Sequence, residues 1–232
     1  MQVKAIIFDL DGTLLNTLTD LRLSVNFMLE KFGFPIRTME EIRTFVGNGV
    51  KLLVERALPD DKKDMLCECL PVFKEHYDAH NADNTAPYEG VMEMLASVKK
   101  AGLKSAIVSN KYDMAVQKYK DETFTRLIDF AIGEGNGIAP KPAPDGVFKA
   151  IEAIGGKGSE DTVYVGDSEV DLLTAKNSGL KCIACSWGFR DRDDLIARGA
   201  KNLIDAPSQL IDLIKSGEIL VLSSKFIQKV EK

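Results

Sequence analysis

Apolar positions along the chain fall into two kinds of pattern. Residues 3–8 (VKAIIF) form a nearly continuous apolar run, the mark of a strand buried on both faces. Between residues 16 and 85 the pattern is helical. Leu18, Leu21, Val25, Met28, Leu29 and Phe32 recur at helical spacing, and Gly33 with Pro35 ends that helix. Thr38 with Glu41 reads as a capping box opening a second helix. Asn48-Gly49 precedes a third, through Leu52, Leu53 and Ala57, and a longer one is expected from about Asp61 to about His80. No strand pattern shows in this block.

From residue 88 helix and strand alternate. The pattern predicts helices at 91–101, from Asp113 onward, and at 145–154, 169–178, 192–198 and 207–215. Strands are predicted at 103–109, around 130–132, and at 162–166, 180–185 and 202–204. Such alternation argues for an α/β fold with a doubly wound, Rossmann-like parallel sheet covered on both faces. The expected division is a core of residues 1–15 and 86–215 and an inserted all-helical domain of residues 16–85. Residues 216–232 form a tail with an apolar piece and a basic end, to which no structure is assigned.

In an open parallel sheet, ligands bind beyond the carboxyl ends of the strands. Asp9 and Asp11 follow the first strand. Ser109, Asn110 and Lys111 follow the second. Lys141 stands between two prolines past the third. Gly166, Asp167 and, four residues on, Asp171 follow the fourth. Each has a bland alternative: Asp11-Gly12 suits a turn, Ser109 and Ser168 suit helix caps, and Lys141 suits a solvated loop. All of them together, in order and on one edge, suit phosphoryl transfer. Carboxylates converging on one point repel unless a cation joins them, and Mg²⁺ takes oxygen ligands. Asp9, Asp11, Asp167 and Asp171 are the candidate metal residues, with Asp9, Asp167 and a backbone carbonyl supplying part of the shell. A hydroxyl, an ammonium and backbone N–H groups would hold the remaining phosphate oxygens.

The net charge is −5, with 45% hydrophobic and 28% charged residues. The basic residues are dispersed, so neither a nucleic-acid partner nor a membrane surface is indicated. The chain enters its first strand directly, and no apolar run approaches a membrane span, so a cytoplasmic protein is expected. Cys182 and Cys185 have CxxC spacing, and Cys67 and Cys69 are two apart. Both pairs fall in apolar-periodic segments where cysteine packs as a small hydrophobe, in preference to a zinc site. His76 and His80 read as a solvated helix face.

Asp9-Leu10-Asp11-Gly12-Thr13, Ser109-Asn110, Lys141-Pro142 and Gly166-Asp167-Ser168-Glu169-Val170-Asp171 resemble, jointly and in order, the four motifs of the haloacid dehalogenase-like hydrolase superfamily. The likeness runs to about residue 215, and the helical block resembles that superfamily's C1-type cap. The resemblance implies that Asp9 is the nucleophile, forming an aspartyl-phosphate, with Asp11 as general acid and then base. It implies that Ser109 bonds the phosphoryl group and Lys141 balances charge. Asp167 would bind Mg²⁺ directly, and Asp171 through water or by holding Lys141. Gly12 would let the backbone approach the phosphate, Thr13 would support the loop, and both, with Asn110, are candidate substrate contacts.

More finely, Asn110-Lys111, TFVGNGVKLLVERAL (44–58), KPAPDGVF (141–148) and WGFRDRDDLIARGA (187–200) resemble phosphoglycolate phosphatases. Two positions depart from the pattern: Asn16 replaces an acidic residue, and Ser109 a commoner threonine. Arg43, Asn48, Lys51 and Lys111 are candidates for a substrate carboxylate, against the alternative that Arg43 and Lys51 are solvated helix positions. The expected partner is a small phosphorylated metabolite, and the expected state a monomer or homodimer. Pyrophosphatase, nucleotide or sugar phosphatase, and β-phosphoglucomutase activities stay open, as does a non-catalytic phosphate-binding role. A response-regulator receiver is opposed by the length, the helical block and an aspartate after the first strand.

Overall fold

The computed structural model describes residues 2–135, 137–217 and 219. It divides into two compact units: residues up to Leu14 together with those from Tyr88 onward, and Leu15–Pro87.

The larger unit is built on a six-stranded sheet. Its strands are β1 (Ala5–Phe8), β4 (Lys104–Tyr112), β5 (Phe130–Glu134), β6 (Thr162–Gly166), β7 (Lys181–Cys185) and β8 (Leu203–Ile204). Their spatial order is β5-β4-β1-β6-β7-β8, and every pairing is parallel. The chain starts in the middle, builds outward through β4 and β5, then returns beside β1 to build the other half. That reversal places the switch point between β1 and β6, where such sheets open a crevice for ligands.

Helices α5 (Val91–Lys100), α6 (Asp113–Lys118), α7 (Asp145–Ile154), α8 (Glu169–Asn177) and α9 (Arg192–Ala197) lead from strand to strand, and α10 (Gln209–Ser216) follows β8. Side chains alternate across a strand, so β1 must be apolar on both sides once helices cover both faces. Ala5 and Ile7 join Val108, Tyr164, Val147 of α7 and Leu172 and Ala175 of α8 in one cluster. Ile6 and Phe8, alternate to them, are equally buried. Truncating Ile7 to alanine would cost about 2–5 kcal/mol.

The smaller unit holds α1 (Leu18–Lys31), α2 (Met39–Phe45), α3 (Val50–Ala57) and α4 (Leu66–His80). The Thr38–Glu41 capping box is present in both directions, at 3.2 and 2.8 Å. Buried Asp20 of α1 accepts from Asn84 and Thr85, which ties the end of the unit to its beginning. Lys63 caps the end of α3, donating to the carbonyls of Glu55 and Leu58.

Four expectations need correction. The first strand is shorter than 3–8. Two further strands, β2 (Leu15–Asn16) and β3 (Ala86–Pro87), pair antiparallel; two residues each are too few to leave a periodicity. The 103–109 strand runs on to Tyr112 through a register shift after Val108, which repeats no side-chain alternation and so left no pattern. Cys67 is exposed, whereas Cys69, Cys182 and Cys185 are buried. Of the C-terminal tail, only Ser216, Gly217 and Ile219 fall among the described residues.

Candidate active site

β1 ends at Phe8, and Asp9 continues its line, with its N–H donating to the carbonyl of Val165 in β6. This bond fixes Asp9 at the switch point. Asp167 lies just past β6, and Asp171 lies in the first turn of α8. One carboxylate oxygen from each of Asp9, Asp167 and Asp171 falls within 4.8 Å of the others, and all three residues are buried.

Lys141 brings the countercharge. Its ammonium stands 2.8 Å from Asp9 Oδ1 and 2.8 Å from Asp171 Oδ1. Asn110 secures the lysine's backbone in both directions: its amide donates to the Lys141 carbonyl at 3.0 Å, and its Oδ1 accepts from the Lys141 N–H at 2.8 Å. Sequence reading placed Asn110 among substrate contacts; here it clamps the loop that carries Lys141.

The carboxylates differ in how far they are committed. Asp171 Oδ1 accepts from Lys141 and from the Tyr164 hydroxyl at 3.0 Å. Its Oδ2 accepts from the N–H groups of Asp167 and Ser168 and from the Ser168 hydroxyl. Burial opposes the charge on Asp171, but Lys141 and these donors outweigh it and hold the carboxyl below its ordinary pKa. Asp171 therefore serves as a strut for Lys141, with both oxygens engaged.

Asp167 is less compensated. Thr13 Oγ donates to its Oδ1 at 2.9 Å, and the Phe189 N–H donates to its Oδ2 at 2.7 Å. Burial and the neighbouring Asp171 push its pKa up to about 7. Asp9 is raised well above its ordinary value, first by burial and then by Asp171, although Lys141 pulls the other way. For Lys141, burial favours loss of the proton, but Asp171 and Asp9 prevail and raise its pKa. Three buried carboxylates against one buried ammonium leave a formal charge of −2, and a divalent cation among oxygen donors fits that balance.

The glycines show how tightly this corner is built. Gly12 has φ +88°, and a Cβ there would come 2.3 Å from Asp167 Oδ2. A Cβ on Gly188 would come 2.3 Å from the Gly12 carbonyl and 2.4 Å from Asp167 Cβ. The Trp187 indole N–H donates to the Thr13 carbonyl at 3.0 Å, pinning the two loops together.

Ser109, within the register shift of β4, accepts from the Lys111 N–H at 3.1 Å. Lys111 turns its ammonium to Asp11, 3.1 Å from Oδ1. Asp9, Asp11, Gly12, Thr13, Ser109, Asn110, Lys111, Lys141, Asp167 and Asp171 thus share one edge of the larger unit. Arg43, Asn48 and Lys51 belong to the smaller unit: Arg43 on α2, Asn48 in the following loop, and Lys51, exposed, at the start of α3.

Sequence reading missed several participants. Tyr164 alternates correctly for a core strand, so nothing in the pattern marks its hydroxyl as a partner of Lys141 and Asp171. Gly188 and Phe189 lie in a stretch noted only for its likeness to relatives. Arg56, which donates to the Phe45 carbonyl and to Asn48 Oδ1, reads as an ordinary solvated helix position.

Known proteins share this architecture. The sequence profile described as haloacid dehalogenase-like hydrolase matches residues 6–185. A phosphoglycolate phosphatase from Pseudomonas syringae pv. syringae is 34% identical over 215 residues, spanning 90% of this chain and 78% of that protein. One from Aquifex aeolicus is 30% identical over 188 residues, spanning 81% and 86%. Among solved structures, a chain from Lactobacillus delbrueckii subsp. bulgaricus, provisionally described as a phosphoglycolate phosphatase, matches with a TM-score of 0.87 at 34% identity, covering 92% of this chain and 99% of that one. CbbY from Rhodobacter sphaeroides, crystallised with xylulose-1,5-bisphosphate, matches with a TM-score of 0.69 at 27% identity, covering 90% and 96%. With a profile match across the sheet and relatives sharing 34% of aligned positions, the chain belongs to the haloacid dehalogenase-like hydrolase family.

Proposed function

We propose that this protein is a Mg²⁺-dependent phosphatase that hydrolyses 2-phosphoglycolate through a phosphorylated Asp9. The observation that carries the reading is the Lys141 ammonium 2.8 Å from Asp9, inside a buried cluster whose charge is not balanced by protein groups alone. A nucleophilic carboxylate beside a dianionic phosphate needs such compensation. The names of the relatives support the substrate.

Asp9, Asp167 and the Asp11 carbonyl would hold the metal ion. When bound, it supplies positive charge opposite the phosphate oxygens and lowers the repulsion between phosphate and carboxylate. The protein's own groups do the rest. Asp9 attacks phosphorus as the bond to the glycolate oxygen breaks. Asp11 gives that oxygen its proton, then takes one from the water that attacks the aspartyl-phosphate, regenerating Asp9. Ser109 and the N–H groups around Gly12 orient the phosphoryl oxygens. Lys141, fixed by Asp171, Tyr164 and Asn110, favours the ionised form of Asp9 against burial and Asp171. Arg43, Asn48 and Lys51 are the candidates for the substrate's carboxylate. The buried cysteines suit the expected cytoplasmic compartment, and among the described residues no helix is long and apolar enough to cross a membrane.

A second reading, a sugar-phosphate phosphatase, draws on the likeness to the xylulose-1,5-bisphosphate complex. Mg²⁺-dependent phosphate release is measured on phosphoglycolate, pyrophosphate, β-glucose 1-phosphate, xylulose 1,5-bisphosphate and nucleoside monophosphates, with Asp9→Asn as control. Phosphoglycolate standing out in kcat/KM, with Asp9→Asn inactive, supports the proposal. A sugar phosphate standing out moves the assignment to the second reading, and turnover by Asp9→Asn removes the nucleophile.

A further inference from the structure

Lys111 is a long, charged side chain that the fold nevertheless encloses. Its side chain is 3% exposed, and its ammonium stands 3.1 Å from Asp11 Oδ1. The same ammonium lies 5.6 Å from the centre of the Tyr119 ring. A buried ammonium is costly unless paired, and here the carboxylate and the ring face share that role.

Several irregularities of the backbone converge on this placement. β4 shifts register after Val108 and resumes pairing with β5 only at Tyr112, opposite Glu134. Within the shift, the Lys111 N–H donates to Ser109 Oγ. Gly133 passes so close that a Cβ there would fall 2.4 Å from the Lys111 carbonyl, and its N–H donates to Asp113. α6 then widens into a π turn at Tyr119–Thr123, and Tyr119 at its start is buried. Bulges and π turns of this kind re-aim single side chains.

We propose that Lys111 is a positioning residue for Asp11 and not a receptor for the substrate's carboxylate. The proposal rests on the reading of Asp11 as the proton donor and acceptor. In the first half-reaction, Asp9 bonds to phosphorus, the phosphorus–alkoxide bond breaks, and the Asp11 proton passes to the alkoxide, which leaves as an alcohol. In the second, Asp11 takes a proton from water, the water oxygen bonds to phosphorus, and the Asp9–phosphorus bond breaks. Both transfers need the Asp11 carboxyl at a fixed place beside the leaving and entering oxygens. The Lys111 ammonium, donating to Asp11 Oδ1, supplies that restraint whether or not the carboxyl carries its proton.

Charge points the same way. Asp9, Asp11, Asp167 and Asp171 face Lys141 and Lys111, leaving a formal −2 that one divalent cation cancels. Drawing Lys111 off to a substrate carboxylate would leave Asp11 unpaired in front of the phosphate.

The test compares three esters by kcat/KM, which reports the steps through release of the alcohol. Phosphoglycolate has a poor leaving group and a carboxylate, ethyl phosphate has a poor leaving group alone, and p-nitrophenyl phosphate has a leaving group that departs without a proton. Lys111→Met is expected to lose about 30- to 100-fold on both alkyl esters alike and under about 3-fold on p-nitrophenyl phosphate, within the range of acid–base catalysis. Lys111→Arg, which keeps the ion pair, is expected to recover most of the loss. A loss confined to phosphoglycolate and expressed in KM would assign Lys111 to carboxylate recognition and overturn the proposal. Equal losses on all three esters would make its role merely structural, with the same result. If Lys111→Met does not yield folded protein, Lys111→Gln is read on the same panel by the same criteria. Asp11→Asn, run in parallel, separates the two layers: if it spares the alkyl esters, the acid–base reading itself is wrong and the proposal goes with it.

Discussion

Gly12 and Asp167 are packed so closely that a methyl group on the glycine would lie 2.3 Å from the aspartate's Oδ2. The glycine's φ of +88° adds a second constraint, since a side chain there is strained whatever the space. Gly12→Ala must therefore push Asp167 away from Thr13 and Phe189. The expected outcome is a destabilisation of about 1–3 kcal/mol from overpacking and a fall in kcat/KM of at least about 100-fold. Calorimetry and Mg²⁺ titration check it. Unchanged metal affinity in Gly12→Ala would show that Asp167 is not a ligand.

The two aspartates that share Lys141 should respond oppositely to loss of charge. Asp171 is surrounded by donors, so Asp171→Asn turns an acceptor into a donor facing N–H groups and leaves Lys141 short of a partner. A loss of about 3–5 kcal/mol is expected. Asp9 sits where burial and Asp171 disfavour its charge. Asp9→Asn should leave stability in EDTA unchanged or higher while abolishing turnover, a trade of stability for function. Urea unfolding of both variants decides it; equal destabilisation would contradict the separation of strut from nucleophile.

Much of this was legible in the chain, and the reasons are physical. A fully buried parallel strand must be a continuous apolar run, so Ala5–Phe8 and Thr162–Gly166 declare themselves. The candidate site residues lie just past strand ends, where Asp9 and Asp167 interrupt those runs. What escaped were residues whose role depends on partners distant in sequence. Tyr164 looks like any core aromatic until Lys141 and Asp171 are folded against its hydroxyl. Lys111 reads as a cation for the substrate's carboxylate, and its pairing with Asp11 shows only once the register shift of β4 is seen. Asn110 looks like a ligand contact until its amide is found closing on the Lys141 backbone.

Arg56 gives a prediction within the helical unit. It donates to the Phe45 carbonyl at 2.7 Å and to Asn48 Oδ1 at 3.0 Å, bracing the loop that carries Gly47, Asn48 and Gly49. If that loop contributes to recognition of phosphoglycolate, Arg56→Ala should raise KM for it by about 10-fold, equivalent to about 1.4 kcal/mol. kcat should change little, and p-nitrophenyl phosphate should be hydrolysed as before. Steady-state kinetics on the two substrates checks this; a fall in kcat on both would tie Arg56 to folding instead.

The metal and the proton should compete for the same carboxylates, and the sign of the effect can be worked out. Asp9 and Asp167 have raised pKa values in the folded protein, Asp167 at about 7. As pH rises through the ordinary carboxylate range, the unfolded chain ionises while these two groups keep their protons. The folded state then binds more protons than the unfolded state, so metal-free stability falls with rising pH up to about neutrality. Asp171, whose pKa is lowered, acts in another window: its contribution is lost only as pH falls below the ordinary carboxylate range. Mg²⁺ binds the ionised carboxylates, and with Asp167 at about 7 it displaces fewer protons near pH 8 than near pH 5.5. The rise in Tm on adding Mg²⁺ to EDTA-treated protein should therefore be larger at pH 8 than at pH 5.5. The metal-free Tm should run the other way. Thermal scans at the two pH values, with and without Mg²⁺, give both differences, and a Mg²⁺-induced shift that does not depend on pH would mean that the ion binds away from Asp9 and Asp167.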